Sequence, residues 1–365
     1  MKINKAFIKI ISLFFCIIFL SSCGSKEMLK TKDITDRITQ TKVILQSEIN
    51  EKEEFEEFLN EFSPSFTVPG LLEGVIPQGI CYNALLDSYI ISNYYEDGAF
   101  PSVITIVNAE TGKLEKALFL QYDDGTDYTG HAGGVACSDE YIFISSDGQC
   151  FTISLEAIIK AENYERIRFE SNFKLNTKGS FAAFSDDILW FGDFIESDDK
   201  TKGSSTLTTT LDNGETFYAY CEGYILENGL PKFKRINSTQ TGYIPDYYIA
   251  IPEQVQGMAF SKTGDIIFST SYGRKNNSEI HIYKDILISE RVGTIDIDGN
   301  IIDLLACNNE NKEKTITALP MSEGMTQSKY GVTLIFESGA EKYRQHRGKL
   351  PVDTTYIANI EWFIK

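Results

Sequence analysis

Three short stretches of this chain share a polar side chain, a glycine and then apolar residues: Gln78-Gly79-Ile80, Gln256-Gly257-Met258 and Glu323-Gly324-Met325. Gly133-Gly134 and Lys178-Gly179 stand in similar settings. Amides carry donors and acceptors together. Brought together in space, Gln78, Gln256 and Glu323 would form a polar ring that holds water, an ion or a polar ligand, or that bonds strand ends around a solvated channel. His131 lies in Gly130-His131-Ala132-Gly133-Gly134, where small neighbours permit close approach to a ligand and acid or base action near neutral pH. A structural hydrogen-bonding role is the plainer alternative. No second histidine accompanies it at ligand spacing, so no metal site is expected there. A second set follows each stretch: Asn93-Tyr94-Tyr95, Asp147, Asp193, Tyr272-Gly273-Arg274 and Glu337. His131, Asp193, Arg274 and Glu337 are the catalytic candidates, and Gln78, His131, Gln256, Arg274 and Glu323 the candidate ligand-binding residues. Arg274 either grips a carboxylate or phosphate through its guanidinium fork or pairs with Glu337 and staples neighbouring elements.

The elements that must position these groups repeat. Val255 to Arg274 reads as a short apolar run, a Gly264-Asp265 turn and a β-rich return, which is the pattern of a hairpin. Equivalent units begin at Gly79, Gly134, Ser180 and Gly324. Their spacing is near or above the roughly 40 to 50 residues of a four-stranded propeller blade, the excess going into loops. The fold expected is all-β, a five- or six-bladed β-propeller over residues 66–365, with a β-sandwich as the competing architecture. A sixth blade would lie within Ile286 to Ala318. The runs Phe66 to Ile76 and Tyr356 to Ile364 are expected to share one blade and close the ring, leaving no open sheet edge. In a propeller the starts of the innermost strands lie at one mouth of the central channel, so the polar residues above would converge.

The chain begins differently. Lys2, Lys5 and Lys9 flank an apolar run from Ile10 to Leu20, shorter than the roughly 20 residues needed to cross a bilayer as a helix. Leu20-Ser21-Ser22-Cys23 resembles the bacterial lipobox, which implies a signal peptide over residues 1–22 and diacylation of Cys23. Membrane lipid is then a partner and the extracytoplasmic side of the cell membrane the location, since each buried methylene adds about 0.8 kcal/mol of membrane affinity. Apolar residues at threes and fours from Ile34 to Phe62 predict a helix over Glu27 to Phe62, the core of a tether spanning residues 23–65.

The 365 residues are 42% hydrophobic, enough for a sizeable core, and carry a formal net charge of -18. Such a surface repels phosphate backbones, so nucleic-acid binding is not expected. There is no phosphate-cradling glycine loop, no nucleophile elbow and no cysteine pair at metal spacing. No cofactor is implied. Asp123-Asp124-Gly125-Thr126-Asp127 has the oxygen density of a calcium loop without the spacing of an EF-hand, and turn chemistry also accounts for it. Cys81, Cys137, Cys150, Cys221 and Cys307 sit inside β runs and read as small buried hydrophobes.

The strings Gly-His-Ala-Gly-Gly at 130–134, Gln-Gly-Met-Ala-Phe-Ser at 256–261, Ser-Thr-Ser-Tyr-Gly-Arg at 269–274 and Phe-Glu-Ser-Gly-Ala at 336–340 resemble a group of uncharacterised bacterial secreted and lipid-anchored proteins. That group is distantly similar to NHL-type and quinoprotein-like propellers. The resemblance implies the propeller and carries no activity. Three functional classes stay open: a cell-envelope lipoprotein whose channel face binds a small polar ligand or protein partner, an extracellular hydrolase or lyase around His131, and an envelope scaffold.

Overall fold

The computed structural model describes residues 37–44, 53–196, 207–235, 241–344 and 349–359. The leader, its lipobox Cys23 and most of the expected tether lie outside them. Strands dominate and group into antiparallel sheets in chain order. Val75–Asn83, Ser88–Tyr95, Val103–Asn108 and Leu114–Gln121 form one, with Arg166–Arg168 added in parallel at its outer edge. Gly134–Cys137, Tyr141–Ser146, Gln149–Ser154 and Ser171–Lys174 form the next. Phe181–Ser185, Ile188–Gly192, Ala219–Glu227 and Tyr247–Ile251 follow, then Val255–Phe260, Ile266–Thr270, Ser278–Tyr283 and Lys312–Ala318. The last sheet runs Ser322–Ser328, Gly331–Phe336, Thr354–Ala358 and, from the other end of the chain, Phe62–Thr67.

The first strand of each sheet lies against the first strands of two others. Glycine makes that approach possible. A side-chain carbon on Gly79 would stand 2.6 Å from Val135 N, one on Gly134 2.5 Å from Ala182 N, and one on Gly324 2.8 Å from Gly79 Cα. The chain is therefore a β-propeller rather than a sandwich of two layers. Between consecutive sheets sits a separate apolar core. Ile90 and Ile104 meet Val135 and Ile144, Ala136 and Phe143 meet Leu189 and Phe191, and Trp190 meets Met258 and Phe260. Ile267 and Ile280 meet Leu334 and Tyr356, while Ile335 and Phe66 meet Ile91 and Tyr89. Successive strand residues point to opposite faces, so Ile90 enters one core and Tyr89 and Ile91 the other. A strand sandwiched in this way is buried on both faces, which is why Tyr89, Ile90 and Ile91 stand together without alternation in Ser88–Tyr95. Each large apolar side chain removed from water contributes about 1.5–3 kcal/mol.

The hairpin turns follow their sequences. Asn228-Gly229 takes positive φ at both residues, 55° and 77°, the geometry a two-residue hairpin requires. Leu155–Lys160 is a short helix, capped by the Ser154 hydroxyl, which accepts from Ala157 N.

Three expectations need correction. Residues 286–318 make no sheet of their own. Gly293–Ile297 and Asn300–Ala306 extend the Phe181 sheet through parallel pairing of Tyr248 with Leu304, and Lys312–Ala318 is the outer strand of the Val255 sheet. The closing strand is Phe62–Thr67 rather than Phe66 to Ile76, and it straddles the boundary drawn at residue 66. The long helix is absent from the described residues: of those between Glu27 and Phe62, only Glu56–Glu61 is α-helical, while residues 37–44 are not helical and form a strap. The strap's side chains answer the rim. Gln40 Nε2 donates to Thr67 O and Gly112 O, Gln40 Oε1 accepts from Leu114 N, and the Asp353 carboxylate accepts from Val43 N and Ile44 N. Ile38 and Val43 are buried against the rim, in contacts that have no 3.6-residue period.

Candidate functional site

A cavity of about 410 Å³ opens at the mouth where the innermost strands begin. Gln78, Gly133, Gly179-Ser180, Gln256 and Glu323 reach it from the starts of those strands, and Tyr94, Asp147, Phe194 and Glu337 from the ends of their partners. Residues far apart in sequence thus line one hollow, as the repeat requires.

Its floor is a pair of carboxyl groups. Glu323 is 4% exposed and hydrogen-bonds to Glu337. Gln256 Nε2 donates to Glu323 Oε1 at 3.3 Å, and Gln78 Nε2 donates to Glu337 Oε2 at 3.4 Å and to Pro77 O at 2.8 Å. Tyr343 also hydrogen-bonds to Glu337. Burial, and then the neighbouring carboxylate, hold Glu323 well above the usual carboxyl range, and burial lifts Glu337 to about 7. Two acids this close cannot both ionise cheaply, so the pair retains a proton near neutral pH. Ser269 fixes one end of the arrangement by donating its hydroxyl to Glu323 O at 2.7 Å.

His131 opens onto the cavity with its ring 4.4 Å from that of Tyr94. Its surroundings lower its pKa, desolvation outweighing the opposing pull of Asp147. Asp147 sits in the hairpin turn after Tyr141–Ser146 with φ 50°. Lys178 arrives on a loop held from behind by two buried acids. Asp193 Oδ1 accepts from Lys178 N at 2.7 Å, while Glu222 accepts from Asn176 N, Thr177 N and the Thr177 hydroxyl, each at 2.9 Å.

Of the candidates, Gln78, His131, Gln256, Glu323 and Glu337 line the cavity together. Asp193 does not. It is fully buried behind the wall and acts on the Lys178 backbone. Arg274 also stands off the lining, with its guanidinium carbon 4.9 Å from the centre of the Tyr343 ring, and among the described residues no ion pair joins it to Glu337. The Asp123 to Asp127 turn is engaged internally: Asp124 Oδ1 accepts from Thr126 N and Oγ1, and Asp127 meets Gln121 and Arg166.

Tyr343 and Glu222 are absent from the sequence-derived set. Tyr343 lies in the segment between Gly331–Phe336 and Thr354–Ala358, where three of the other four sheets have shorter connections, and that extra length is its only signal. Glu222 sits mid-strand in Ala219–Glu227 and reads as an ordinary polar alternation.

The sequence matches no family model and no curated protein. Among solved structures it is similar to the glutaminyl cyclase of Myxococcus xanthus, at 10% identity over 75% of this chain and 89% of that one, with a TM-score of 0.38. It is also similar to the PQQ-bound aldose sugar dehydrogenase of Streptomyces coelicolor, at 12% identity over 81% and 96%, with a TM-score of 0.39. The calcium-binding protein regucalcin of Agrobacterium tumefaciens matches at 11% identity over 78% and 92%, with a TM-score of 0.34. These distant likenesses are of propeller fold.

Proposed function

We propose that this chain is a cell-envelope lipoprotein, anchored through acylated Cys23, whose five-bladed propeller binds a small polar ligand at its channel mouth. Five blades are supported by the unbroken cycle of innermost strands, in which Gly324 returns to Gly79. Anchoring is supported by the leader sequence and Leu-Ser-Ser-Cys at 20–23. The observation that carries the ligand reading is the Glu323–Glu337 pair: two buried acids, bonded by two amides and a phenol, at the base of a recess of about 410 Å³. Recesses of roughly 300–1,000 Å³ with a few convergent polar groups suit small molecules better than a protein surface.

A thermal-shift screen of polar metabolites on the wild-type protein and on Glu323→Gln tests it. A compound that raises the wild-type Tm but leaves the variant unmoved supports the reading, and a panel that moves neither protein counts against it. Loss of palmitate labelling and of membrane association in Cys23→Ser tests the anchor.

One observation favours a second reading, an extracellular hydrolase or lyase. A carboxyl group lifted to about 7 is matched to proton transfer near neutral pH. Glu337 would then be the acid or base, with His131 and Tyr94 beside the substrate rather than His131 at the centre. Turnover that falls at least a hundredfold in Glu337→Gln while binding persists would distinguish it.

A further inference from the structure

The channel has a second recess, of about 430 Å³, at the opposite ends of the same inner strands. Two thiols meet there. The strands Val75–Asn83 and Gly134–Cys137 are pinned side by side at two points. At one, Gly79 abuts Val135, where an added side-chain carbon would stand 2.6 Å from Val135 N; at the other, Asn83 Nδ2 donates to Ser138 O at 3.0 Å. Cys81 and Cys137 fall between those points and so lie abreast. The Cys81 thiol hydrogen-bonds to that of Cys137, and Cys137 Sγ donates to Tyr82 O at 3.2 Å. Both belong to the core between the two sheets, and both edge the recess, through which a small reagent can arrive. In this structure both are free thiols.

We infer that Cys81 and Cys137 are a disulfide-forming pair that staples two neighbouring blades at the far mouth of the channel, on reaction with a small disulfide oxidant. One cysteine thiolate attacks a sulfur of the oxidant and expels a thiol. The second thiolate then displaces the remaining half. One S–S bond forms in the protein, two protons and two electrons leave it, and the oxidant's disulfide becomes two thiols. Burial holds the Cys81 thiol well above its ordinary range, so thiolate is scarce and exchange quickens as pH rises. The link would join residues far apart in sequence, which restricts the unfolded chain and so favours the closed ring. The inference is independent of what the opposite mouth binds.

The test uses the full-length protein incubated with oxidised glutathione at alkaline pH, alkylated under denaturing conditions and mapped as peptides without reduction. The expected result is a Cys81 peptide joined to a Cys137 peptide, two hydrogens lighter than their sum, with a Tm several degrees higher that returns to its starting value on reduction. Cys81→Ser is expected to abolish both the linked peptide and the Tm gain. Recovery of both peptides unlinked, linkage of either to another cysteine, or a linked protein with unchanged Tm would overturn the inference.

Discussion

Replacing Glu337 with glutamine should make the protein more stable at alkaline pH and no different at acid pH. The folded state raises this carboxyl from its ordinary 4.5 to about 7. It therefore binds a proton that the unfolded chain releases earlier. Its stabilisation is complete below about pH 4.5 and disappears as pH climbs through 7. At about 1.4 kcal/mol per pH unit the full gap is worth roughly 3 kcal/mol, and solvent in the cavity reduces this to roughly 1–3 kcal/mol. Glutamine reproduces the neutral acid in shape and can donate to Glu323, so the variant keeps the low-pH arrangement at every pH. Urea unfolding of both proteins between pH 5 and 8.5 measures the difference. The two histidines with lowered pKa, His131 and His281, contribute with the opposite slope, but they are present in both proteins and cancel in the comparison. The variant should gain roughly 1–3 kcal/mol over wild type by pH 8.5, most of it between pH 4.5 and 7. A wild-type to variant difference that does not change with pH would refute the shared-proton account.

Gly324→Ala would press a methyl to 2.8 Å from Gln78 O, Gly79 Cα and Ile80 N, backbone atoms that cannot turn aside, and should cost about 1–3 kcal/mol or more in urea unfolding. Gly264→Ala, with positive φ but open space around it, should cost about 1 kcal/mol. Glu222→Gln replaces two acceptor oxygens by one acceptor and one donor facing N–H groups, so a loss of about 1–3 kcal/mol is expected, together with faster amide exchange at Asn176 and Thr177. His281, buried between Thr270 and Thr315, is lowered to about 4 by desolvation. NMR should show its ring neutral down to that pH, and the stability it contributes should be complete above about 6.5 and be lost as pH falls from there through 4.

Much of the propeller was legible because its innermost strands touch backbone to backbone, and only glycine allows that contact. The marks at Gly79, Gly134, Gly257 and Gly324 are therefore consequences of ring geometry written into the sequence. The convergence of Gln78, Gln256 and Glu323 followed from their common place in the repeat, and Glu337 joins them from the end of the neighbouring strand. What was hidden depends on long-range contacts that leave no local period. Ile38 belongs to a run of apolar residues with helical spacing, but together with Val43 it serves a strap whose partners are Val75, Tyr95, Val68 and Leu71. The pair Gly293–Ile297 and Asn300–Ala306 reads as strands correctly, yet nothing in it tells an added edge from a separate sheet. Arg274 stands at the predicted position along its repeat, but its stacking on Tyr343 depends on a segment outside the repeat.

The pairing of Phe62–Thr67 with Thr354–Ala358 also orders events in time. A chain emerging from the ribosome displays the first of these segments almost three hundred residues before its companion exists. Until then the ring cannot shut. Completion of the fold is thereby deferred to the last stage of synthesis.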